Sequence, residues 1–535
     1  MSNPKLALTI VAAAIACLAG TGLALGAAAD ASTGAVSTST ADHGKFAELD
    51  KAFKSGPEVT KACLVCHTEA AKQIHQTQHW NWEYTNPDTG QRLGKRHVIN
   101  NFCTSVASNL DDCAACHIGY GMRDASFDFT SEEKVDCLVC HDTSGKYRKP
   151  LGFAGNVVTE KTEYPPESGK FIRAIDLSEI AKRVGKSRRE NCGACHFYGG
   201  GGDGVKHGDL DSSLDAPDRA LDVHMDVEGN NFSCATCHQT EGHQVPGSRY
   251  APTAMDKADA HLRGKTDAGN PATCQSCHGQ TPHQSVAKLN DHTDTVACQT
   301  CHIPAFARGD VPTKMVWDWS TAGKRGADGK PLVVTDDDSY VTYIGSKGDF
   351  VLAENVTPDY IWFNGTVNYT LIGDQLDAAK QPIYINRFQG SADDGKSMIW
   401  PVKTFRGKQP YDPIAKSLVV THLYGHDDSA YWTNLDWQKA VAAGMRSAER
   451  DFSGQVDFIE TISQWPITHM VAPKEQALGC NDCHVKGGRL DKIAGIYLPG
   501  RDRNPLIDRL GWALAALVLA AVLLHGGIRI ARRKH

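Results

Sequence analysis

Asn191-Cys192-Gly193-Ala194-Cys195-His196 carries the element on which the reading of this chain turns, Cys-x-x-Cys-His. It recurs at Cys63, Cys113, Cys137, Cys192, Cys234, Cys274, Cys298 and Cys480, leaving only Cys17 and Cys103 of the 18 cysteines outside it. At these Cys and His frequencies, chance would supply roughly 0.03 copies in 535 residues. Two thiols three positions apart, followed at once by an imidazole, make the attachment site of haem c. The thiols add across the porphyrin vinyl groups and the His takes the iron from one side. Eight copies exclude a disulfide scaffold, a zinc-finger array and an ordinary metabolic enzyme. The formal charge of −6 leaves no basic excess to neutralise phosphates, which excludes nucleic acid as a partner.

The sequence therefore predicts eight covalently bound haem c groups. Their holders are Cys63, Cys66 and His67; Cys113, Cys116 and His117; Cys137, Cys140 and His141; Cys192, Cys195 and His196; Cys234, Cys237 and His238; Cys274, Cys277 and His278; Cys298, Cys301 and His302; and Cys480, Cys483 and His484. The spacings of 50, 24, 55, 42, 40, 24 and 182 have no fixed period, so the chain is not a repeat solenoid. So dense a set of porphyrins leaves little room for apolar core. The expected fold is mainly α with extensive irregular loops, a haem-packed cytochrome domain plus one C-terminal transmembrane helix.

The ends read as export and anchoring. Lys5, the apolar run Leu6–Leu25 and Ala27-Ala28-Ala29 form a secretory signal over 1–29. A Ser/Thr/Ala-rich flexible leader follows over 30–42, and His43 is grouped with it. At the other end the apolar run Leu510–Ile528 just spans a hydrocarbon core. Arg529, Arg532, Arg533 and Lys534 make 529–535 a cytoplasmic basic tail, so that a transmembrane helix over 508–528 would anchor a periplasmic body to the inner membrane.

Between them lie a seven-haem region (43–305), a haem-free insert (306–479) and the eighth haem (480–505). The insert has β-branched and aromatic runs in its first half, which predict a few strands or irregular loops. Its second half, Asp428–Ile462, has helical apolar spacing through Leu435, Ala442, Met445, Phe452, Val456, Ile459 and Ile462. The insert is the expected wall of a substrate cavity.

The second axial ligand decides what each haem does. Two imidazoles saturate the iron and leave electron transfer, whereas a displaceable ligand admits substrate. Twelve other histidines are in reach: His75, His79, His97, His207, His224, His243, His261, His283, His292, His422, His426 and His469. The distal candidates retained are His79, His224, His243, His283, His292, His426 and His469. Two features hint at an open site: the unpaired Cys103, and the run of four glycines, Gly199–Gly202, leading to Lys206-His207-Gly208-Asp209.

Several segments together resemble the octahaem tetrathionate reductase family of c-type cytochromes, relatives of hydroxylamine oxidoreductases and pentahaem nitrite reductases. They are Gly56–Cys63 continuing to His79-Trp80, Asn100-Asn101-Phe102-Cys103, Cys137–Tyr147 and Asn191–Asp211. The resemblance implies seven bis-His haems and one catalytic haem at Cys113, Cys116 and His117, with Cys103 nearby and a Lys as distal ligand. Lys186 is the residue carried over, with Lys206 second. It implies a small sulfur or nitrogen oxyanion as substrate, tetrathionate reduced to thiosulfate or else nitrite, with neutral hydroxylamine as a further substrate. The terminal helix departs from the soluble form and suggests a quinol-oxidising membrane partner, or else a periplasmic cytochrome, as electron donor. A non-catalytic conduit and a hydroxylamine-oxidising enzyme are the alternatives.

Overall fold

The computed structural model describes residues 40–533 apart from 167, 265–268 and 338. The predicted signal peptide, nearly all of the leader and the last two residues of the tail lie outside the described residues.

The haem-motif region is built of short helices joined by loops. The attachment motifs form single turns, as in Leu138–His141, Cys234–Cys237, Gln275–His278 and Cys298–His302. A helical turn sets residues three apart on one face, so both thiols of a motif point the same way. Among the described residues of this region, only Gly56–Leu64 and Arg189–His196 reach eight residues or more. Apolar side chains gather in small separate clusters between motifs. One holds Leu49, Phe53, Val59, Leu138, Leu177 and Ile180, another Trp80, Trp82, Leu110, Ile118, Met122 and Phe127.

The insert is a sheet, and a larger one than the few strands expected. Its spine is the 15-residue strand Met398–Asp412, buried along nearly its whole length. Asp457–Pro466 pairs with it antiparallel from Val402 opposite Pro466 to Tyr411 opposite Asp457. Thr313–Asp318 pairs with it parallel, and Asp359–Phe363 antiparallel at its start. Gly348–Ala353, Val341–Ile344 and Val333–Thr335 extend the sheet beyond Thr313–Asp318, giving nine strands. The helical reading of the second half holds for the short Tyr431–Asn434 and for Trp437–Ser447, the latter capped by Asp436, whose side chain accepts from Lys439 N. Val456, Ile459 and Ile462 do not continue that helix. The chain breaks at the left-handed Gly454, and Ile459, Thr461 and Ile462 enter the strand beside Met398–Asp412. Ladder pairing outweighed a three-residue apolar spacing that a short strand can mimic.

The sheet is bonded to the haem loops. Ile399 O accepts from Ala297 N at 3.0 Å and from Thr300 Oγ1 at 2.8 Å, tying the spine to the seventh motif. Asn101 Nδ2 donates to Phe405 O at 3.0 Å, holding the segment that carries Cys103. The last helix, Pro505–Arg532, has a mean hydropathy of 2.0 over its apolar window and is unburied.

Candidate haem sites

Two imidazoles that share one iron, each bonded at about 2 Å, hold their ring centroids roughly 6 Å apart. Among the described residues, seven pairs of histidines meet that geometry, and each contains one motif His. His43 faces His67 at 6.3 Å, His79 faces His196 at 6.1 Å, and His243 faces His141 at 6.4 Å. His469 faces His238 at 6.4 Å, and His224 faces His278 at 6.0 Å. His283 faces His302 at 6.0 Å, and His292 faces His484 at 6.1 Å. These rings are spaced for a metal between them, so the donor set fits seven bis-imidazole haems.

Six of the seven distal candidates thus stand opposite a motif histidine. His426 does not: its ring packs edge-on to Tyr164 and Tyr424. The seventh partner is His43, which composition groups with the leader. Asp42 caps the short turn His43–Lys45 through Gly44 N, and that turn presents the ring to His67. Five further histidines have other work. His97 bonds Glu83, His261 bonds Asp256, and His422 bonds Ser108 O and Asp427. His75 stacks on Trp80, and His207 meets Trp465 edge-on.

His117 is the exception. No second imidazole faces it among the described residues. Its ring is fully buried against Trp80, Trp82, Phe127 and Phe129. Nε2 is 2.6 Å from Trp80 O, while Nδ1 is buried without a partner. Ligation through Nε2, with Nδ1 bonded to a carbonyl as in His141 and His238, would require this ring to leave the Trp80 carbonyl.

The lysines around this motif differ in kind. Lys149 is a strut: it donates to His117 O and Gly119 O and pairs with buried Asp136 at 3.1 Å. Asp136 also accepts from Tyr120 and Tyr147 at 2.7 and 2.8 Å, and burial pushes both phenols well up. Lys186 is exposed, next to Gly185, whose carbonyl bonds the ring of His141, so it stands beside the third motif. Lys206 is buried, lies over the Trp465 ring at 4.6 Å and has no carboxylate partner among the described residues. Burial pushes its ammonium well down, with Arg249 and Lys95 adding to the effect. Lys95 lies over Trp82 and bears electrostatically on Cys113, Cys116 and His117.

Cys103 and Lys206 share one wall. The Cys103 Sγ points to Gly200 O at 3.7 Å, and a Cβ at Gly200 would sit 3.4 Å from the Lys206 Cβ. Gly200 and Gly201 are both left-handed, which lets the glycine run lie against the thiol. Asn100 Oδ1 accepts from the amides of Phe102 and Cys103, and Trp319 Nε1 donates to Phe102 O, fixing the loop. Burial pushes the Cys103 thiol up, while Lys347 and Lys314 pull against it. Cys103 also acts electrostatically on Cys113, so the structure brings the free cysteine to the second motif. Lys149, Lys95 and His43 were missed in the sequence. A lysine carries no local signature, and the composition of the leader masked His43.

Contacts between motif cysteines give the order of the sites. Motif cysteines stand beside one another in pairs: Cys63 by Cys137, Cys116 by Cys195, Cys192 by Cys234, and Cys274 by Cys298. Cys140 bears on Cys192, Cys277 on Cys237, and Cys483 on Cys301. The motifs thus run first, third, fourth, fifth, sixth, seventh, eighth, with the second branching from the fourth.

Eight attachment motifs, seven of them in His pairs on one continuous path, define a multihaem c-type cytochrome. Residues 62–142 match the family described as cytochrome c554 and c-prime, and residues 314–487 match bacterial cytochrome c. An octahaem cytochrome c of known crystal structure from Shewanella oneidensis is 42% identical. The match covers 84% of this chain and 95% of that one, with a TM-score of 0.72. An uncharacterized protein of Archaeoglobus fulgidus is 25% identical over 244 residues, 38% of this chain and 80% of its own length. The chain belongs to the octahaem c-type cytochromes, a family related to octahaem tetrathionate reductase and hydroxylamine oxidoreductase.

Proposed function

We propose that the chain is a periplasmic, membrane-anchored reductase whose substrate site is at the second motif. The observation that carries this is the contrast between seven paired imidazoles and the lone, turned-away His117. Haem c, when bound, supplies one-electron transfer, and where a ligand is displaceable it supplies reduction of a bound substrate.

Lys206 is the residue we assign as the amine ligand, in place of Lys186. An amine can bind iron only when unprotonated, and desolvation without a carboxylate partner favours that form. Lys186 is exposed and beside another motif. Lys149 is committed to Asp136 and two carbonyls. Cys103 and the basic side chains Lys314, Lys347 and Lys95 would hold an anion at its two ends. Tetrathionate fits that charge: cleavage of its central S–S bond takes two electrons and yields two thiosulfates. Nitrite and hydroxylamine are smaller alternatives for the same site.

The test compares Lys206→Ala with Lys186→Ala in the holoprotein. EPR and magnetic circular dichroism should show one non-bis-imidazole low-spin signal in the parent and in Lys186→Ala, and lose it in Lys206→Ala. Turnover of tetrathionate, nitrite and hydroxylamine from reduced viologen should fall with it. Retention of the signal in Lys206→Ala would move the ligand elsewhere. A parent protein with eight bis-imidazole signals and no turnover would make the chain an electron conduit.

A further inference from the structure

The strand Asp457–Pro466 leaves the sheet at Ile467, whose amide donates to Pro401 O at 3.1 Å, and the turn that follows brings His469 opposite His238. Asp209 meets this turn. Its Oδ2 accepts from Thr468 N at 2.7 Å and from His469 N at 3.0 Å, and lies 3.3 Å from His469 Nδ1. Thr468 Oγ1 is 3.1 Å from the same nitrogen. The residue before the carboxylate is pinned: Gly208 is left-handed at φ 82°, and its carbonyl accepts from Ala307 N.

Asp209 is 1% exposed, and its Oδ1 is buried without a partner. Among the described residues its one ion-pair partner is His469. The buried Lys403 ammonium bears on Asp209 but donates to Val205 O and Thr313 Oγ1. An asparagine would accept from the two amides equally well and would bury no charge. The charge is therefore placed for the imidazole. Other paired rings set the contrast. Nδ1 bonds a neutral oxygen in His141 (Gly185 O, 2.8 Å), His238 (Pro246 O, 2.9 Å), His243 (Gln73 Oε1, 2.7 Å) and His283 (Asn290 Oδ1, 3.1 Å). Behind His224, Asp222 Oδ1 stands at 4.0 Å, beyond hydrogen-bond reach. Of these rings only His469 has a carboxylate on Nδ1. A carboxylate that draws on the Nδ1 proton makes the imidazole a stronger donor through Nε2, which favours ferric over ferrous iron.

We propose that Asp209 is a positioning residue for the fifth site: by hydrogen-bonding His469 it fixes the ring and lowers the reduction potential of the haem held by Cys234, Cys237 and His238. The fifth motif stands beside the fourth, and the fourth beside the second. Asp209 thus adds driving force to electron transfer from the fifth site toward the fourth. That use rests on the reductive direction proposed above; the tuning itself does not.

The test is a spectroelectrochemical titration of the full-length holoprotein, with EPR of each oxidised sample. Asp209→Asn should make one haem at least tenfold easier to reduce, an upward shift of about 59 mV or more, with the bis-imidazole signals kept low-spin. Gln73→Glu, which puts a carboxylate where His243 now meets an amide, should make one haem at least tenfold harder to reduce. Thr468→Val should titrate like the parent. A parent-like titration of Asp209→Asn or of Gln73→Glu would overturn the proposal, as would a shift in Thr468→Val. A new high-spin signal in Asp209→Asn would reduce the carboxylate to a support for the loop and overturn it too. If Asp209→Asn fails to load haem, Gln73→Glu decides alone. None of these readouts involves a substrate, so a parent that turns over neither tetrathionate, nitrite nor hydroxylamine would defeat the reductase reading and leave the tuning standing.

Discussion

Replacing Lys149 by Met separates a strut from a ligand at the second motif. The Lys149 side chain is 2% exposed and that of Asp136 is 0%, and they meet at 3.1 Å. Lys149 also satisfies the carbonyls of His117 and Gly119. Met keeps the length of the side chain and removes the charge. Asp136 then retains its donors, Tyr120, Tyr147 and Val139 N, but no cation. Breaking one side of a buried pair costs about 3–5 kcal/mol, because the other charge stays buried and uncompensated. Asp136→Asn alone should cost a similar amount, and the double variant should recover much of the loss, with a coupling energy of about 2–3 kcal/mol. The assay is denaturant unfolding of the holoprotein for all four members of the cycle, with EPR on each. Stability should fall in both single variants while the ligand census stays that of the parent. A coupling below about 1 kcal/mol would refute the desolvated pair. Loss of the non-bis-imidazole signal in Lys149→Met would show that Lys149, not Lys206, reaches the iron.

Further expectations concern the paired imidazoles and the sheet. His43→Ala should convert one haem in eight from low-spin to high-spin, read by EPR, and an unchanged spectrum would return His43 to the leader. Near-perpendicular rings keep the iron dxz and dyz orbitals close in energy and give highly anisotropic signals. His79–His196 at 72°, His141–His243 at 78° and His292–His484 at 77° should therefore contribute such signals. His43–His67 at 14° and His283–His302 at 11° should give ordinary rhombic ones, and a parent spectrum with a single signal type would contradict the ring angles. Burial pushes Lys314 down to about 7, with Lys347 adding and Cys103 opposing. Its folded value lies below its unfolded one, so the unfolded chain binds more protons between about pH 7 and 10, and stability rises with pH across that window. Lys314→Met should accordingly stabilise the protein at pH 6–7 and lose that advantage near pH 10, as measured by unfolding midpoints.

The attachment sites and the long apolar helix Pro505–Arg532 were written in the sequence because both are local. Two thiols and an imidazole within five residues, or a run from Leu510 to Ile528 broken by a single strongly polar residue, His525, need no other part of the chain to be recognised. The glycine run was legible for the same reason: Gly200 and Gly201 adopt the left-handed backbone that their lack of a Cβ allows. The second ligands were not legible, because a distal histidine is defined by what it faces. His469 reaches His238 only because the whole sheet folds between them, and His43 reaches His67 from a stretch whose composition suggests a tail. The same holds for lysine. Lys149, Lys186 and Lys206 are equivalent as letters, and only burial, an Asp136 partner or the want of one distinguishes strut, surface residue and desolvated amine. The strand Asp457–Pro466 shows the limit for secondary structure, since its apolar spacing was ambiguous until the ten-residue ladder with the spine resolved it. Covalent chemistry and hydrophobic length are properties of a segment. Axial pairing, desolvation and strand register are properties of what the fold brings alongside it.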